Sequence, residues 1–285
     1  QAQTTALETT KTGALDVVAD AEMFASDAGA GREEAGSDSY AIPFLVVLQK
    51  TSPQVDEQAS EYIEGSKAGQ LLNNVTGKVY DGKAGVTFIP VYFKREFLRW
   101  GGREGGSGGF KGVIAVEELT KLRMSGAVVE MEGGLYFPNP DGTVNPKKND
   151  RISDHRNHYG LIVDEEGQTR PCLLSLTSTQ IKKSKLLMSA LADVRVKGPA
   201  GQSINPASWA NKVKLTTIGE SNDEGTWFGL RTELAGFVSK EQYAAGKAFY
   251  ESVKKGTVEV KYEDTDSAAQ TRGAPADHSG MEGAV

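Results

Sequence analysis

The chain has 285 residues, enough for one large domain or two small ones, and 38% of its residues are hydrophobic. That fraction is low for a fully compact chain, so we expect some segments to stay unfolded. The single cysteine, Cys172, excludes an internal disulfide and a multi-cysteine zinc site, and it fits a reducing compartment. Since the sequence contains no apolar run of about 18 residues, we expect no membrane partner.

The charge of the chain is distributed unevenly. Residues 1–39 hold eight acidic residues against two cations, and residues 263–285 hold five against one. The chain as a whole carries −6, so residues 40–262 carry +4. Flexible acidic arms can compete with a polyanion for a basic surface, although acidic tails also simply keep proteins soluble. We predict a disordered acidic arm at 1–39, a single β-rich domain at 40–262 and a disordered acidic tail at 263–285.

The first half of the predicted domain has the pattern of β-structure. Residues 41–50 form an apolar run that indicates a buried strand or a short helix. From Gln70, short apolar runs alternate with TGK and DGK turns, and a long strand follows at 86–100. Because this strand exceeds the usual length, we expect a bend or bulge near Pro90. Small closed or half-closed barrels use long, curved strands of this kind.

The second half of the predicted domain mixes hairpins with helices. We expect a mobile glycine-rich loop, a short helix, an exposed polar loop and a hairpin, at 101–112, 116–126, 139–155 and 158–176 respectively. A helix after Thr177, two strands and a final helix capped by Ser239 and Gln242 follow. The predicted fold class is α+β and β-rich: an OB-like small barrel core with added helices and disordered acidic arms.

Aromatic rings and cations are interleaved along the predicted strand 86–100. On an ordinary half-buried strand the rings would take one face and the charges the other, because successive side chains point to opposite faces. Here Phe93, Arg95, Phe97 and Arg99 all fall on one face. Single-stranded nucleic acid is bound by rings that stack bases and by cations that follow the phosphates. We predict a nucleic-acid site in which the stacking rings are Phe93, Phe97, Trp100 and Phe110, and the cations are Lys94, Arg95, Arg99, Arg103, Lys111, Lys182, Lys183 and Lys185.

A structural interpretation of the same strand stays open. Phe93 and Phe97 are equally consistent with core positions, and Arg95 and Arg99 with salt bridges at a sheet edge. The two interpretations differ in whether the rings are exposed.

The sequence contains no strong catalytic or cofactor motif. The glycine run at 101–112 lacks the GK[ST] ending of a P-loop. Asp154, His155 and His158 would hold a metal only if both imidazoles converged, and a polar histidine pair in a loop is the simpler interpretation. We therefore expect neither an enzyme nor a bound cofactor.

Several segments together resemble a group of bacteriophage-encoded proteins associated with phage replication and recombination genes. The segments are IPFLVVLQKTSPQV, YIEGSKAGQLLNNVTGKVYDG, VTFIPVYFKREFLRW with its glycine-rich loop, SLTSTQIKKSK and GTWFG. The resemblance covers about residues 40–229 and carries no functional motif that transfers residue by residue. It implies a phage origin and a location in the host cytoplasm, and it is compatible with a single-stranded DNA-binding protein of the OB type.

The sequence thus predicts a non-enzymatic, sequence-tolerant single-stranded DNA-binding protein that supports phage DNA replication or recombination. Its expected partners are single-stranded DNA, further copies of itself, and replication or recombination proteins contacted through the acidic arms. One alternative is a virion structural or assembly protein, in which the same rings pack against a neighbouring subunit. A weaker alternative is a metal-dependent nuclease built around Asp154 and His158.

Overall fold

The computed structural model describes residues 30–31, 41–102, 104, 108–131, 134–223, 225–258, 260 and 262. The chain divides after Tyr40, and residues 41–285 form one unit. Apart from residues 30 and 31, the predicted acidic arm at 1–39 and the tail at 263–285 lie outside the described residues. Both remain predictions.

The described residues form thirteen strands and three α-helices. The helices are α1 (Val116–Met124), α2 (Ile181–Asp193) and α3 (Lys240–Lys254). The strands are β1 (Leu45–Val47), β2 (Leu71–Asn73), β3 (Val79–Tyr80), β4 (Val86–Trp100), β5 (Phe110–Ile114), β6 (Val129–Met131), β7 (Gly134–Tyr136), β8 (Arg151–Val163), β9 (Thr169–Thr177), β10 (Val196–Lys197), β11 (Ser203–Ile204), β12 (Asn211–Asn222) and β13 (Gly225–Phe237).

Eight of these strands form one antiparallel sheet. Along it the order is β13, β12, β4, β8, β7 and β6, while β5 also pairs with β4 and β9 with β8. Strands β1, β2 and β3 form a second sheet, and β10 pairs with β11. No helix among the described residues is long and apolar enough to cross a membrane.

The fold is α+β and β-rich, as predicted. The predicted OB-like barrel, however, is wrong. In the described part of the chain the large sheet stays open, with β13 at one end and β6 at the other. The reason lies in β4, which is long enough to take two different partners on the same side. It pairs with β12 near Phe88 and with β5 near Leu98, so the sheet branches instead of curling closed.

A β-bulge at Val91 decides which side chains of β4 share a face. Pro90 and Tyr92 pair with consecutive residues of β8, which leaves Val91 as the extra residue. Since side chains alternate along a strand, the extra residue reverses the two faces. Phe88 and Phe93 therefore lie on the same face although they are an odd number of residues apart. The predicted bend near Pro90 is confirmed.

Helices cover both faces of the long β4–β8 pair. On one face, which we call the α1/α2 face, Phe88 packs with Leu187 of α2, and Phe97 packs with Leu119 of α1. On the other face, the α3 face, Leu98 belongs to the core cluster that contains Phe249 of α3. The strand pair is thus the middle layer of the domain.

The predicted loop at 139–155 is wrong in its last part, because β8 already begins at Arg151. Several side chains in this part of β8 are polar and yet buried, among them Asp154, His155 and His158. Each has a hydrogen-bond partner inside the protein, so the strand is stable without apolar residues at these positions. The polar composition of residues 151–155 is therefore the reason why the sequence did not predict this part of the central strand β8. The predicted hairpin after it, helix α2 and the capping box of Ser239 and Gln242 are confirmed.

Candidate nucleic-acid interface

Four cations lie along the α1/α2 face of the β4–β8 pair and its neighbour β5. We call them the basic strip: Arg95, Arg99, Lys111 and Arg156. Three of them are residues that the sequence predicted for the site, and Arg156 is a residue that it missed.

The first half of the basic strip is a pair of arginines that share one carboxylate. Arg95 and Arg156 stand directly opposite each other on β4 and β8, an arrangement that repels unless an anion compensates it. Asp154 is that anion: its Oδ2 lies 2.8 Å from Nη2 of Arg95 and 3.0 Å from Nη2 of Arg156. The carboxylate is buried, whereas the two arginine side chains are 22% and 12% exposed. Two positive charges thus surround one negative charge.

The second half of the strip also has two cations around one carboxylate. Arg99 and Lys111 both bind Asp150, with nitrogen–oxygen distances of 2.7 and 2.8 Å. Partial burial raises the pKa of Asp150, but the hydrogen bonds and charges of Lys111 and Arg99 outweigh it and hold that pKa below its usual value. Asp150 is therefore ionised at neutral pH, and this half also has one positive charge in excess. The side chains of Arg99 and Lys111 are 40% and 36% exposed.

Aromatic rings position the guanidinium groups of the strip. The guanidinium carbon of Arg95 lies 4.7 Å from the ring centroid of Phe97, and that of Arg99 lies 3.9 Å from the ring centroid of Phe137. Such contacts fix the plane of the guanidinium group. The interleaving of rings and cations in the sequence therefore has a structural explanation: the rings support the cations.

Two of the four predicted stacking rings lie in the core. Phe97 is 2% exposed under α1, and Trp100 is 3% exposed on the α3 face. Neither presents a ring to a base in this conformation, because each is covered by residues distant in sequence. Phe110 is half-buried and packs against Trp100 with a centroid distance of 5.7 Å, away from the strip.

Phe93 is the predicted ring that the structure leaves half-buried beside the strip. It packs against His158 with a centroid distance of 5.1 Å, and Nε2 of His158 lies 2.8 Å from the hydroxyl of Ser184 on α2. Burial, assisted by the charge of Arg156, lowers the pKa of His158 to about 4, so the imidazole is neutral at pH 7. Phe93 therefore packs against a neutral imidazole at the α2 end of the strip.

The predicted lysine cluster of α2 flanks this end. Lys183 and Lys185 are the neighbours of Ser184 in the sequence. Lys183 forms an ion pair with Glu220, while Lys182 and Lys185 are exposed. The structure thus places Ser184, but not the side chains of the three lysines, against the His158 that supports Phe93, and Lys183 points instead to Glu220 on β12.

One predicted cation lies on the opposite face, and the position of another is not described. Lys94 lies on the α3 face, where its Nζ is 2.7 Å from Oε1 of Glu96. Arg103 lies outside the described residues. Arg156, by contrast, was missed because it lies next to the predicted loop at 139–155. Continuing the alternation of β8 back through that segment would have placed it opposite Arg95.

A second polar cluster occupies the α3 face of the same strands. Asn157 donates from Nδ2 to Glu96 at 2.7 Å and to the hydroxyl of Tyr262 at 2.7 Å, and Tyr262 in turn donates to Glu96. Burial and the neighbouring Glu96 raise the pKa of Tyr262, so its hydroxyl remains a donor. With Lys94 the cluster has one cation for one carboxylate.

Asp154 and His158 do not converge on a metal-binding geometry. The oxygens of Asp154 face Arg95 and Arg156, whereas Nε2 of His158 faces Ser184. Within the described ranges, no group of three or more His, Cys, Asp or Glu side chains is arranged to hold a metal ion.

The fold and the strip together define an α+β protein with a cationic sheet face that is partly open to solvent. A family model described as Pam3 phage gp34-like protein matches residues 10–259. The chain belongs to this bacteriophage family, so the phage origin implied by the resemblance is confirmed. The family description states no activity. No curated protein and no solved structure matches the chain.

Proposed function

We propose that the protein binds single-stranded DNA in a sequence-tolerant way and supports phage DNA replication or recombination. The observation that carries the proposal is the composition of the basic strip, in which four cations share two carboxylates and all four remain partly exposed. Contacts to phosphates carry no sequence information, so a site of this kind is tolerant of sequence.

The chemistry of the strip suits phosphates. Guanidinium groups bind phosphate oxygens in a bidentate way, and groups already held in place lose less side-chain entropy on binding. Arg95 and Arg99 are held by Phe97, Phe137 and the two aspartates. At about 3.3 Å per residue, Arg95 and Arg99 lie about 13 Å apart along β4. This distance exceeds the length of one nucleotide in an extended strand, so the two arginines can contact different phosphates.

The shape of the surface favours a single strand over a duplex. Readers of the major groove usually insert a helix or a ribbon into it. The strip lies instead on a sheet face, where Arg95 is located between Phe93, near α2, and Phe97, under α1. Phe93 offers one half-buried ring on whose accessible part a base can stack.

Fluorescence anisotropy of a labelled oligo-dT at low salt tests the proposal. We expect the double variant Arg99→Ala/Lys111→Ala to bind about tenfold or more weakly, because two phosphate contacts are lost. The matched control removes two exposed cations on other elements, Lys83→Ala/Arg231→Ala, and should bind like the wild type. Equal losses in both double variants, or a wild-type protein that ignores the oligonucleotide, would contradict the proposal.

The predicted alternative, a virion structural or assembly protein, is favoured by one observation. Strand β13 ends the large sheet, and its last residues expose Leu234 and Phe237, which are 45% and 53% accessible. An exposed apolar sheet edge is a template for pairing with another chain. This alternative predicts defined oligomers without DNA that dissociate on Leu234→Asp. A protein that light scattering shows to be monomeric without DNA would exclude it.

A further inference from the structure

A groove opens between β1, β9 and β13 on the side of the domain next to the basic strip. Its volume is about 80 Å³. At about 30 Å³ per water molecule, this space holds roughly three waters, so it takes up part of one planar heterocycle. The groove is separate from the residues assigned to the strip above.

The groove exists because two parallel segments separate. Strand β9 meets the chain before β1 at a single bridge, where the N–H of Leu173 donates to the carbonyl of Pro43 at 2.8 Å. Beyond this bridge the two chains diverge. Main-chain groups alternate along a strand, so Ser175, two residues after Leu173, also directs its main-chain groups away from β8 and into the groove.

Two glutamines hold the opposite wall in place. The side chain of Gln49 accepts from the N–H of Phe228 at 2.8 Å and donates to its carbonyl at 2.9 Å. Oε1 of Gln180 accepts from the N–H of Leu230 at 2.8 Å. These bonds satisfy the edge of β13 with side chains instead of a neighbouring strand. The groove is therefore a built feature of the fold.

The groove is lined by apolar side chains and by hydroxyl groups. Leu45, Val47 and Leu174 form part of the walls, and the half-buried rings of Trp227 and Phe228 lie on the β13 side. Ser178 and Thr179 add hydroxyl groups to the lining. A nucleobase has the matching character, since its faces are apolar and its edge carries donors and acceptors.

One lining residue has an unusual backbone conformation. Ser178 has a φ of 52°, the only positive φ at a non-glycine residue in the described part of the chain. A non-glycine residue in this region carries a conformational cost and is enriched at ligand sites.

Charge and position connect the groove with the basic strip. Lys50, whose Nζ lies 3.3 Å from Oγ1 of Thr226, and Lys182 in the first turn of α2 are exposed beside the lining residues. Leu176 of the groove pairs with Arg156, which pairs with Arg95. At about 4.8 Å between strands, the main chain of Leu176, which lines the groove, lies about 10 Å from that of Arg95.

We propose that the groove accepts one nucleobase of the bound single strand, while Lys50 and Lys182 contact the flanking phosphates. The inference rests on the proposed function, because the basic strip brings the strand to the groove. It also explains why segments far apart in the sequence, IPFLVVLQK, SLTSTQIKKSK and GTWFG, meet at one place.

Two anisotropy probes separate base binding from phosphate binding: oligo-dT, and an abasic deoxyribose-phosphate strand of the same length. We expect the wild type to bind oligo-dT about tenfold more tightly. Val47→Phe places a ring in the groove and should remove most of this preference while leaving the affinity for the abasic strand unchanged. The control Val75→Phe, at an exposed turn, should keep the preference.

The outcomes distinguish the two proposals. If neither probe binds, the proposed function fails and this inference fails with it. If both probes bind and a folded Val47→Phe variant keeps the full preference for oligo-dT, the strip is the site and the groove is not.

Tryptophan fluorescence gives a readout that does not depend on the folding of Val47→Phe. Oligo-dT should quench the fluorescence of the wild type more strongly than the abasic strand does, and Trp227→Phe should abolish most of this difference. Trp209→Phe, a matched change at another half-buried tryptophan, should keep the difference. A difference that survives in Trp227→Phe would overturn the inference.

Discussion

The two faces of the β4–β8 pair carry polar clusters that differ in charge balance. On the α3 face, Glu96 is matched by Lys94, and its remaining bonds come from Asn157 and Tyr262. The rings of Phe110 and Tyr262 pack over this cluster with a centroid distance of 5.6 Å. On the α1/α2 face, the basic strip has twice as many cations as carboxylates and remains partly open.

This difference indicates which cluster is structural. A charge removed from water destabilises the fold unless it is paired, so the buried carboxylate of Glu96 needs the partners that it has. An excess of charge persists where solvent or an external ion can compensate it. The balanced cluster therefore maintains the fold, and the unbalanced one is the surface on which the proposed function depends.

The largest effect is expected from removing the ring that closes the α3 face. Tyr262→Ala should lower the free energy of unfolding by about 3 kcal/mol, because a buried aromatic is lost and Glu96 and Asn157 lose a partner. Urea unfolding measures this change. Tyr243→Ala removes an exposed tyrosine from α3 and should cost less than about 1 kcal/mol. A small loss in Tyr262→Ala would mean that the cluster does not stabilise the fold.

The second prediction concerns pH and the α1/α2 face. Burial, with a smaller effect from the charge of Arg156, lowers the pKa of His158 to about 4 in the folded protein, against 6.5 for an unperturbed imidazole. The unfolded chain therefore binds a proton that the folded protein does not, and stability falls as the pH decreases from about 6.5 to about 4. This imidazole contributes at most about 3 kcal/mol of that loss. In His158→Gln, unfolding free energies measured across this range should depend less on pH, and an unchanged dependence would contradict the assignment.

The third prediction compares the same charge change on the two faces. Asp150→Asn removes a carboxylate from the basic strip and should strengthen oligo-dT binding about fivefold at low salt, since a unit charge at about 4 Å contributes about 1 kcal/mol in water. Glu96→Gln makes the equivalent change at a similarly buried carboxylate on the α3 face and should leave the affinity unchanged. Equal responses would show that the strip is not the contact surface.

Much of the architecture was readable from local patterns. The hairpin of β8 and β9, helix α2 and the capping box of α3 follow from periodicity and from capping residues. The barrel was not readable in the same way, because whether a sheet closes depends on which strands pair across the chain. The branching of β4 between β12 and β5 is a long-range feature of that kind.

The candidate site was readable only in part. Alternation along β4 correctly grouped Arg95 with Arg99, since both lie after the bulge at Val91. The burial of Phe97 and Trp100 comes from α1 and from the α3 face, which no local pattern reveals. Arg156 escaped notice because its strand is rich in buried polar residues that hydropathy assigns to a loop.

The salt dependence of oligo-dT binding tests the central claim most directly. If the four cations of the strip contact phosphates, the logarithm of the affinity should fall with the logarithm of the salt concentration with a slope of about −3. The Arg99→Ala/Lys111→Ala variant should have a slope that is shallower by about 1.4. A wild-type slope near zero, or an unchanged slope in the variant, would contradict the assignment of the basic strip as a phosphate-binding surface.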